Sequence, residues 1–269
     1  LYNTNDMMLR TLAPVLLFVL AIPIVTTYRI FPVEGTPYWL FTILFILLGL
    51  NIVLAFGLGQ KKGLAIYNTL AGWLFGGIVA IVVFGPMITA IADRAKTAPA
   101  YGVHDIILQQ EAAMRYLIEG KNPYKEKYFG TPLESWHYDE LGKTAVNPAL
   151  YHFVMPPWYL LFPFLFYFVS VPLVGYFDAR LVLVFCLLLL LLTLRRWYKD
   201  SHIRLLSMTL VSMSPGVIDF MIEGRSDVFA LSWLVLSLYL LERKRYVPSA
   251  LVFALSVVSK QTIWFAVPF

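Results

Sequence analysis

The sequence predicts an all-α fold: a polytopic bundle of transmembrane helices, with a helical extracytoplasmic loop between two spans and a re-entrant or juxtamembrane element. Composition is the first reason, because 59% of the 269 residues are hydrophobic and 14% are charged, against about 25% charged residues in ordinary globular domains. Several apolar stretches also reach the roughly 18–20 residues that cross a bilayer as a helix. Since hydrocarbon offers no water to backbone groups, these stretches are predicted to be helical.

Apolar stretches divide the chain into predicted membrane and loop regions. One further stretch, 151–173, is apolar but interrupted by Pro156, Pro157, Pro163 and Pro172. The chain starts without Met and stops inside an apolar stretch, so we expect it to be incomplete at its C-terminus. The predicted spans are 11–28, 37–58, 64–92, 179–194, 205–222, 227–241 and 248–269. The predicted domains are N-terminal transmembrane helices (1–92), an extracytoplasmic catalytic loop with a juxtamembrane helix (93–149) and further transmembrane helices (150–269).

Basic residues predict the orientation of these spans. They cluster at Lys61-Lys62, between Arg195 and Arg204, and from Arg243 to Arg245, and the positive-inside tendency places all three clusters in the cytoplasm. The loop 93–149 then faces outside, and 151–173 either does not cross or crosses an even number of times. The alternative, one ordinary span there, would leave the later clusters outside. The net charge of +5 favours contact with lipid headgroups over nucleic acid.

Asp105 begins the most polar part of the loop. It precedes a predicted helix, Ile106 to Glu119, which Gly120 and Pro123 end. Asp105 is therefore either the N-cap of this helix, a position that favours Asp, or a carboxylate that performs chemistry at the membrane surface. The two roles are compatible, because a capping carboxylate at the surface stays accessible.

Glu111 is predicted to lie on the more apolar side of the same helix. At about 100° per residue it shares an arc with Ile107, Met114 and Ile118. A charge in that position needs a partner or a purpose. The alternative is an exposed pair between Glu111 and Arg115, which would contribute only about 0.2–0.5 kcal/mol.

A second charged cluster lies where two predicted spans meet, at Asp219, Glu223, Arg225 and Asp227. Lys260 interrupts the last apolar stretch and could approach the same face. Ionisable residues at membrane depth are rare and usually face an internal cavity. The alternatives are helix-end snorkelling for Arg225 and N-capping for Asp227.

The remaining residues and motifs give little indication of a catalytic or metal site. His104 and His152 flank the loop and are more often hydrogen-bonded surface residues than ligands. The sequence has no HExxH motif, no EF-hand loop and no phosphate-binding glycine loop. Asp105 and Glu111 could share a hard cation, but two carboxylates are too few to define a metal site. The single Cys186 excludes an intrachain disulfide.

Several motifs resemble the multispan glycosyltransferases of the C structural class, and more closely those that use polyprenyl-phosphate sugars, often mannose. The resemblance runs from about Tyr101 to the end of the chain, with an extra helix pair, 11–58, ahead of it. The later spans of such enzymes are missing from this sequence. The motifs are His104-Asp105, Gln109-Gln110-Glu111, Gly120-Lys121-Asn122-Pro123-Tyr124, Tyr151 to Pro157, Gly224-Arg225-Ser226-Asp227, the basic turn Arg243 to Arg245 and the helix with Lys260.

This resemblance implies a mannosyltransferase-like hexosyltransferase of glycan biosynthesis in the cell envelope, in a prokaryotic cytoplasmic membrane with its site facing outside. Asp105 would be the catalytic carboxylate and Glu111 a second catalytic acid, with Asp227, His104 and His152 in support. Arg225 and Lys260 are the candidates to bind the donor phosphate. The acceptor could be a glycan, a lipid or a protein, and a divalent cation, Mg²⁺ or Mn²⁺, stays open.

Two other classes of function remain. A secondary transporter or a flippase for a lipid-linked saccharide would place ionisable residues and broken helices near the bilayer midplane. A non-catalytic membrane subunit would have no site, and would leave the position of Glu111 unexplained.

Overall fold

The computed structural model describes residues 4–27, 38–57, 65–136, 138–140 and 143–268. The regular secondary structure of this part of the chain is helical apart from one short antiparallel pair of strands, β1 (Tyr138–Glu140) and β2 (Lys143–Ala145). A π-helical turn, Ala80–Phe84, joins α3 to α4. The helices are α1 (Thr4–Thr27), α2 (Tyr38–Gly57), α3 (Ala65–Val79), α4 (Gly85–Arg94), α5 (Asp105–Ile118), α6 (Trp158–Leu161), α7 (Pro163–Val174), α8 (Arg180–Trp197), α9 (Ser201–Met213), α10 (Pro215–Glu223), α11 (Asp227–Glu242) and α12 (Tyr246–Val257).

The predicted helical class is confirmed, and some of the helices can cross a membrane. Among the described residues two helices are long and apolar enough, α2 and the continuous Ala65–Arg94, and α9 with α10 forms a third candidate that is bent by 49°. Other predicted spans form shorter helices: α11 has 16 residues and α12 has 12. Length and composition therefore support two to three spans.

One compact unit of the chain comprises Leu1–Thr89 and Leu191–Asp219. Here α1 packs against α2 and α9, and α2 packs against α3. Leu17, Leu44 and Leu48 are fully buried in its core. The predicted span 205–222 is broken in this unit at Ser214, which has an extended backbone because the following Pro215 disfavours the helical conformation in the residue before it.

The second unit comprises Ala90–Leu190 and Phe220–Phe269. It contains α5, α6, α7, α11 and α12, and α11 packs closely on α12. Aromatic rings hold α6 and α7 against α11: the Tyr159 and Phe229 rings lie 5.2 Å apart, and the Phe162 and Trp233 rings 5.1 Å apart. The predicted element 151–173 is thus a short helix followed by a longer one, with Pro163 at the first position of α7.

The last predicted span, 248–269, is also interrupted. Helix α12 ends at Val257, and a 3-10 helix, Gln261–Ala266, follows it. Lys260 lies between the two with an extended backbone. The charge that stood out in the apolar sequence therefore marks a helix break.

Gly224 lies at the closest backbone approach in the second unit. Its φ is +90°, and a Cβ placed there would lie 2.2 Å from Cγ1 of Ile107 on α5 and 3.2 Å from Cγ of Arg180. Only glycine allows the turn between α10 and α11 to approach α5 this closely.

Gly224→Ala is expected to destabilise the fold by roughly 2–5 kcal/mol, from backbone strain and overpacking together. Gly130→Ala is the matched control, because Gly130 also has a positive φ, +78°, but open space around it. It should cost only about 1–2 kcal/mol. Thermal unfolding in detergent, followed by circular dichroism, measures both, and equal midpoints for the two variants would contradict the close approach.

Candidate functional site

The candidate site begins at the N-terminus of α5. His104, and not Asp105, is the N-cap: its backbone is extended and its imidazole lies near the Ile106 N–H, while Asp105 is the first residue of the helix. The predicted capping role of Asp105 is therefore wrong by one position. The predicted helix itself is confirmed, because α5 covers Asp105–Ile118.

The Asp105 carboxylate is buried and held on both oxygens. Its Oδ1 lies 2.5 Å from Nδ1 of His104, and its Oδ2 accepts a hydrogen bond of 3.0 Å from the side-chain amide of Asn147. Asp105 is 5% exposed, whereas the His104 side chain is 25% exposed. The His104 ring also lies 5.3 Å from the Trp136 ring. The pair therefore presents an imidazole outward and keeps its carboxylate inside.

The turn between α10 and α11 lies directly beside this pair. The His104 N–H donates a 2.7 Å hydrogen bond to the Glu223 carbonyl. In the same turn Nε of Arg225 lies 2.7 Å from a Glu223 carboxylate oxygen, and the guanidinium lies 4.4 Å from the centre of the Phe220 ring. The backbone contact thus brings Arg225 into the region of Asp105.

Lys260 joins the site through Asp227, the first residue of α11. Its ammonium lies 2.7 Å from Oδ1 of Asp227. The helix break at Lys260 is fixed by two contacts with the chain around Pro157: the Trp158 N–H donates to the Val258 carbonyl at 3.0 Å, and the Gln261 side chain donates to the Val154 carbonyl at 2.7 Å. These contacts hold Lys260 at the N-terminus of α11.

Glu111 makes a different set of contacts, in a buried charge network. Both of its oxygens accept hydrogen bonds from Arg94, at 2.8 and 2.7 Å. Arg94 also lies 3.0 Å from Asp178, and Asp178 lies 2.8 Å from Arg180. Two guanidinium groups and two carboxylates thus form a neutral cluster, in which Arg115 takes no part.

The network shifts the pKa values of its two carboxyl groups in opposite directions. Burial raises the pKa of Glu111, and the hydrogen bonds and charge of Arg94 only partly oppose it. Burial would also raise the pKa of Asp178, but the hydrogen bonds and charge of Arg180 and the charge of Arg94 hold it below its usual value. Asp178 is therefore the anion around which both arginines gather.

The buried side of α5 differs from the predicted apolar arc. Ile118 is 51% exposed, while Gln109 is fully buried. The Gln109 amide donates to the carbonyls of Ala149 and His152, at 2.6 and 2.7 Å, and accepts from the Val154 N–H. Gln109 thus ties α5 to the segment after the loop, a role that a hydropathy pattern does not reveal.

Two other predicted features have their own surroundings. His152 has an exposed side chain, and its carbonyl accepts the hydrogen bond from Gln109. A hollow of about 330 Å³ lies between the segment Gly120 to Tyr124 and the residues Pro157, Leu160 and Leu161. Tyr124 lines this hollow, and its hydroxyl donates a hydrogen bond of 2.8 Å to the Met155 carbonyl.

The acids of α5 do not fit a shared divalent cation. The Asp105 oxygens face His104 and Asn147, and the Glu111 oxygens accept hydrogen bonds from Arg94 and from the Ala179 N–H. Among the residues the structure describes, no group of three or more His, Cys, Asp or Glu side chains could hold a metal ion.

Sequence reasoning missed Asn147, Arg94, Asp178 and Arg180. Arg180 had a usable signal, because it is a charge at the start of the apolar stretch 179–194 and such charges are rare. Arg94 lies at the start of the predicted loop, two residues after the predicted span 64–92. Asn147 gave no signal, because it reaches Asp105 only through the folding of the loop.

No family model, curated protein or solved structure matches this chain.

The buried network predicts a charge-balance effect. Arg94→Gln leaves Glu111 and Asp178 with one cation, and the loss of one partner from a buried pair costs about 3–5 kcal/mol. Arg94→Gln with Glu111→Gln removes one charge of each sign and should recover a measurable part of that loss. Thermal unfolding in detergent measures both.

Arg115→Gln is the control, because Arg115 is an exposed arginine of the same helix. It should leave the unfolding midpoint within error. A double variant no more stable than Arg94→Gln alone would contradict the charge-balance account.

Proposed function

We propose that this protein is a membrane glycosyltransferase that moves a sugar, of the hexose or mannose type, from a polyprenyl-phosphate donor to an acceptor hydroxyl. The acceptor belongs to a glycan, a lipid or a protein. One observation carries the proposal: the buried Asp105–His104 pair is hydrogen-bonded to the turn that holds Arg225 and leads into the Asp227–Lys260 ion pair. A base and two cations thus share one end of the second unit.

The Asp105–His104 pair supplies the base. Hydrogen bonding to a carboxylate orients an imidazole and stabilises its protonated form, so the pair can accept a proton through the more exposed His104. In the reaction the acceptor O–H bond breaks and its proton goes to this pair. The acceptor oxygen bonds to the anomeric carbon and inverts its configuration. General-base help of this kind is typically worth about 10²–10⁴-fold in rate.

Arg225 and Lys260 supply positive charge for the leaving group. As the bond between the anomeric carbon and the phosphate oxygen breaks, its electron pair leaves with the polyprenyl phosphate. Arg225 uses Nε for Glu223, and Lys260 uses one of its donors for Asp227, so each cation keeps further N–H donors for phosphate oxygens. Fixed cations at a developing negative charge are a strong source of transition-state stabilisation.

Glu111 supports this site by holding the helix that carries the base in place. Its bond with Arg94 fixes the middle of α5, and α5 carries the base at its first turn. The two to three helices able to cross a membrane are consistent with a donor whose isoprenoid tail lies in the bilayer. The proposed membrane is a prokaryotic cytoplasmic membrane, with the loop outside.

A flippase or transporter for a lipid-linked saccharide is the second candidate. The helix break at Lys260 and the Asp227–Lys260 ion pair favour it, because transporters use broken helices and paired charges. One assay distinguishes the two functions, because a flippase moves the lipid-linked sugar without cleaving the bond between sugar and phosphate.

Asp105→Asn is expected to lower sugar transfer by about 10²–10⁴-fold with unchanged protein abundance. The reason is that an amide can neither accept the proton nor stabilise a protonated imidazole. The assay measures the transfer of sugar from a radiolabelled polyprenyl-phosphate hexose in membranes that contain the protein. Glu119→Gln is the matched control, since Glu119 is an exposed acid at the end of the same helix. Full transfer by Asp105→Asn would remove the carboxylate from the mechanism.

The proposed orientation has its own test. Cys186 is fully buried, so single cysteines introduced at exposed positions can be labelled with little background. A membrane-impermeant maleimide added to intact cells should label Lys125→Cys in the loop and not Arg245→Cys in the basic turn. Permeabilised cells provide the control in which both react. Labelling of both in intact cells would contradict the proposed orientation.

A further inference from the structure

A cavity of the first unit is lined by residues that do not belong to the candidate site. It encloses about 760 Å³ between α3, the last residues of α8 and the start of α9. Three arginines line it, Arg195, Arg196 and Arg204, and no Asp or Glu among the described residues does. The charged side chains that line the cavity are thus all positive, which favours an anion.

Two of these arginines have no acidic partner. Neither Arg195 nor Arg204 forms an ion pair with any residue that the structure describes. The nearby Asp200 uses its carboxylate to cap α9, where it accepts hydrogen bonds from the N–H groups of His202 and Ile203. Arg195 and Arg204 therefore contribute positive charge to the cavity lining without an ion-pair partner among the described residues.

Apolar side chains also line the cavity. They are Trp73, Phe75, Leu192, Leu205 and Met208, and Trp73 is 76% exposed. α3 belongs to one of the two helices of the described chain that are long and apolar enough to cross a membrane. A ligand that fills the cavity thus meets both cations and hydrocarbon-like side chains, which suits an amphipathic molecule.

We infer that this cavity binds an anionic phospholipid, such as phosphatidylglycerol. The arginines bind the phosphate, and the acyl chains contact the apolar lining residues. Basic pockets beside membrane helices commonly hold anionic headgroups. This inference is independent of the proposed sugar transfer and concerns different residues.

The experiment is native mass spectrometry of the detergent-purified chain with dioleoyl-phosphatidylglycerol or dioleoyl-phosphatidylcholine. The wild-type chain should retain phosphatidylglycerol at least about tenfold better, which corresponds to the strength of hydrogen bonds to charged groups. Arg195→Gln and Arg204→Gln should each abolish most of that preference. Arg245→Gln, which removes an exposed arginine outside the cavity, should keep it.

Competition separates a lipid from a soluble phosphate. Glycerol phosphate and inorganic phosphate, at the concentration that saturates the lipid, should not displace phosphatidylglycerol. Displacement by either would overturn the lipid assignment in favour of a soluble anion site. Equal retention of the two lipids, or an equal effect of Arg245→Gln, would overturn the cavity as the binding site.

The measurements do not depend on any one variant folding. Arg204→Lys keeps the charge but loses the planar fork of donors, and should reduce the preference less than Arg204→Gln. The lipid preference and the competition use the wild-type chain alone. A wild-type chain without preference for phosphatidylglycerol is sufficient to reject the proposal.

Discussion

Asp178 accepts hydrogen bonds from Arg94 and Arg180 at once, and the geometry of the second unit depends on this buried anion. Arg180 donates further hydrogen bonds to the carbonyls of Ala90 and Ile222, and Arg94 extends the network to Glu111. Four chain segments that are distant in sequence therefore meet at one neutral cluster. Since an unpaired charge at such a depth is costly, the cluster forms completely or not at all, and it sets the position of α5.

The position of α5 in turn decides what its first residues can do. Ile107 packs against Gly224 because glycine leaves room for it, and this contact brings the Glu223 carbonyl to the His104 N–H. The acid that the resemblance names as catalytic is thereby kept from solvent and given a histidine partner. Glu111 and Asp105 thus lie on one helix with different tasks: one holds the helix, and the other is placed by it.

The sequence was sufficient for local features and insufficient for long-range ones. The helical class and α5 followed from apolar runs and from Gly120, which are local signals. The breaks at Ser214 and Lys260 were not predicted, although Pro215 and a charge in an apolar run mark them. Arg94, Asn147 and Asp178 were missed because their partners lie 17, 42 and 84 positions away. A pattern of one helix cannot contain such contacts, and for the same reason Gln109 and Ile118 exchanged their expected exposure.

Some cations of the two units differ in their contacts. In the second unit Lys121, Arg225 and Lys260 each pair with a carboxylate. In the first unit Arg195 and Arg204 line a cavity to which no described Asp or Glu contributes. Arginines without acidic partners beside apolar helices gain most when anionic headgroups face them.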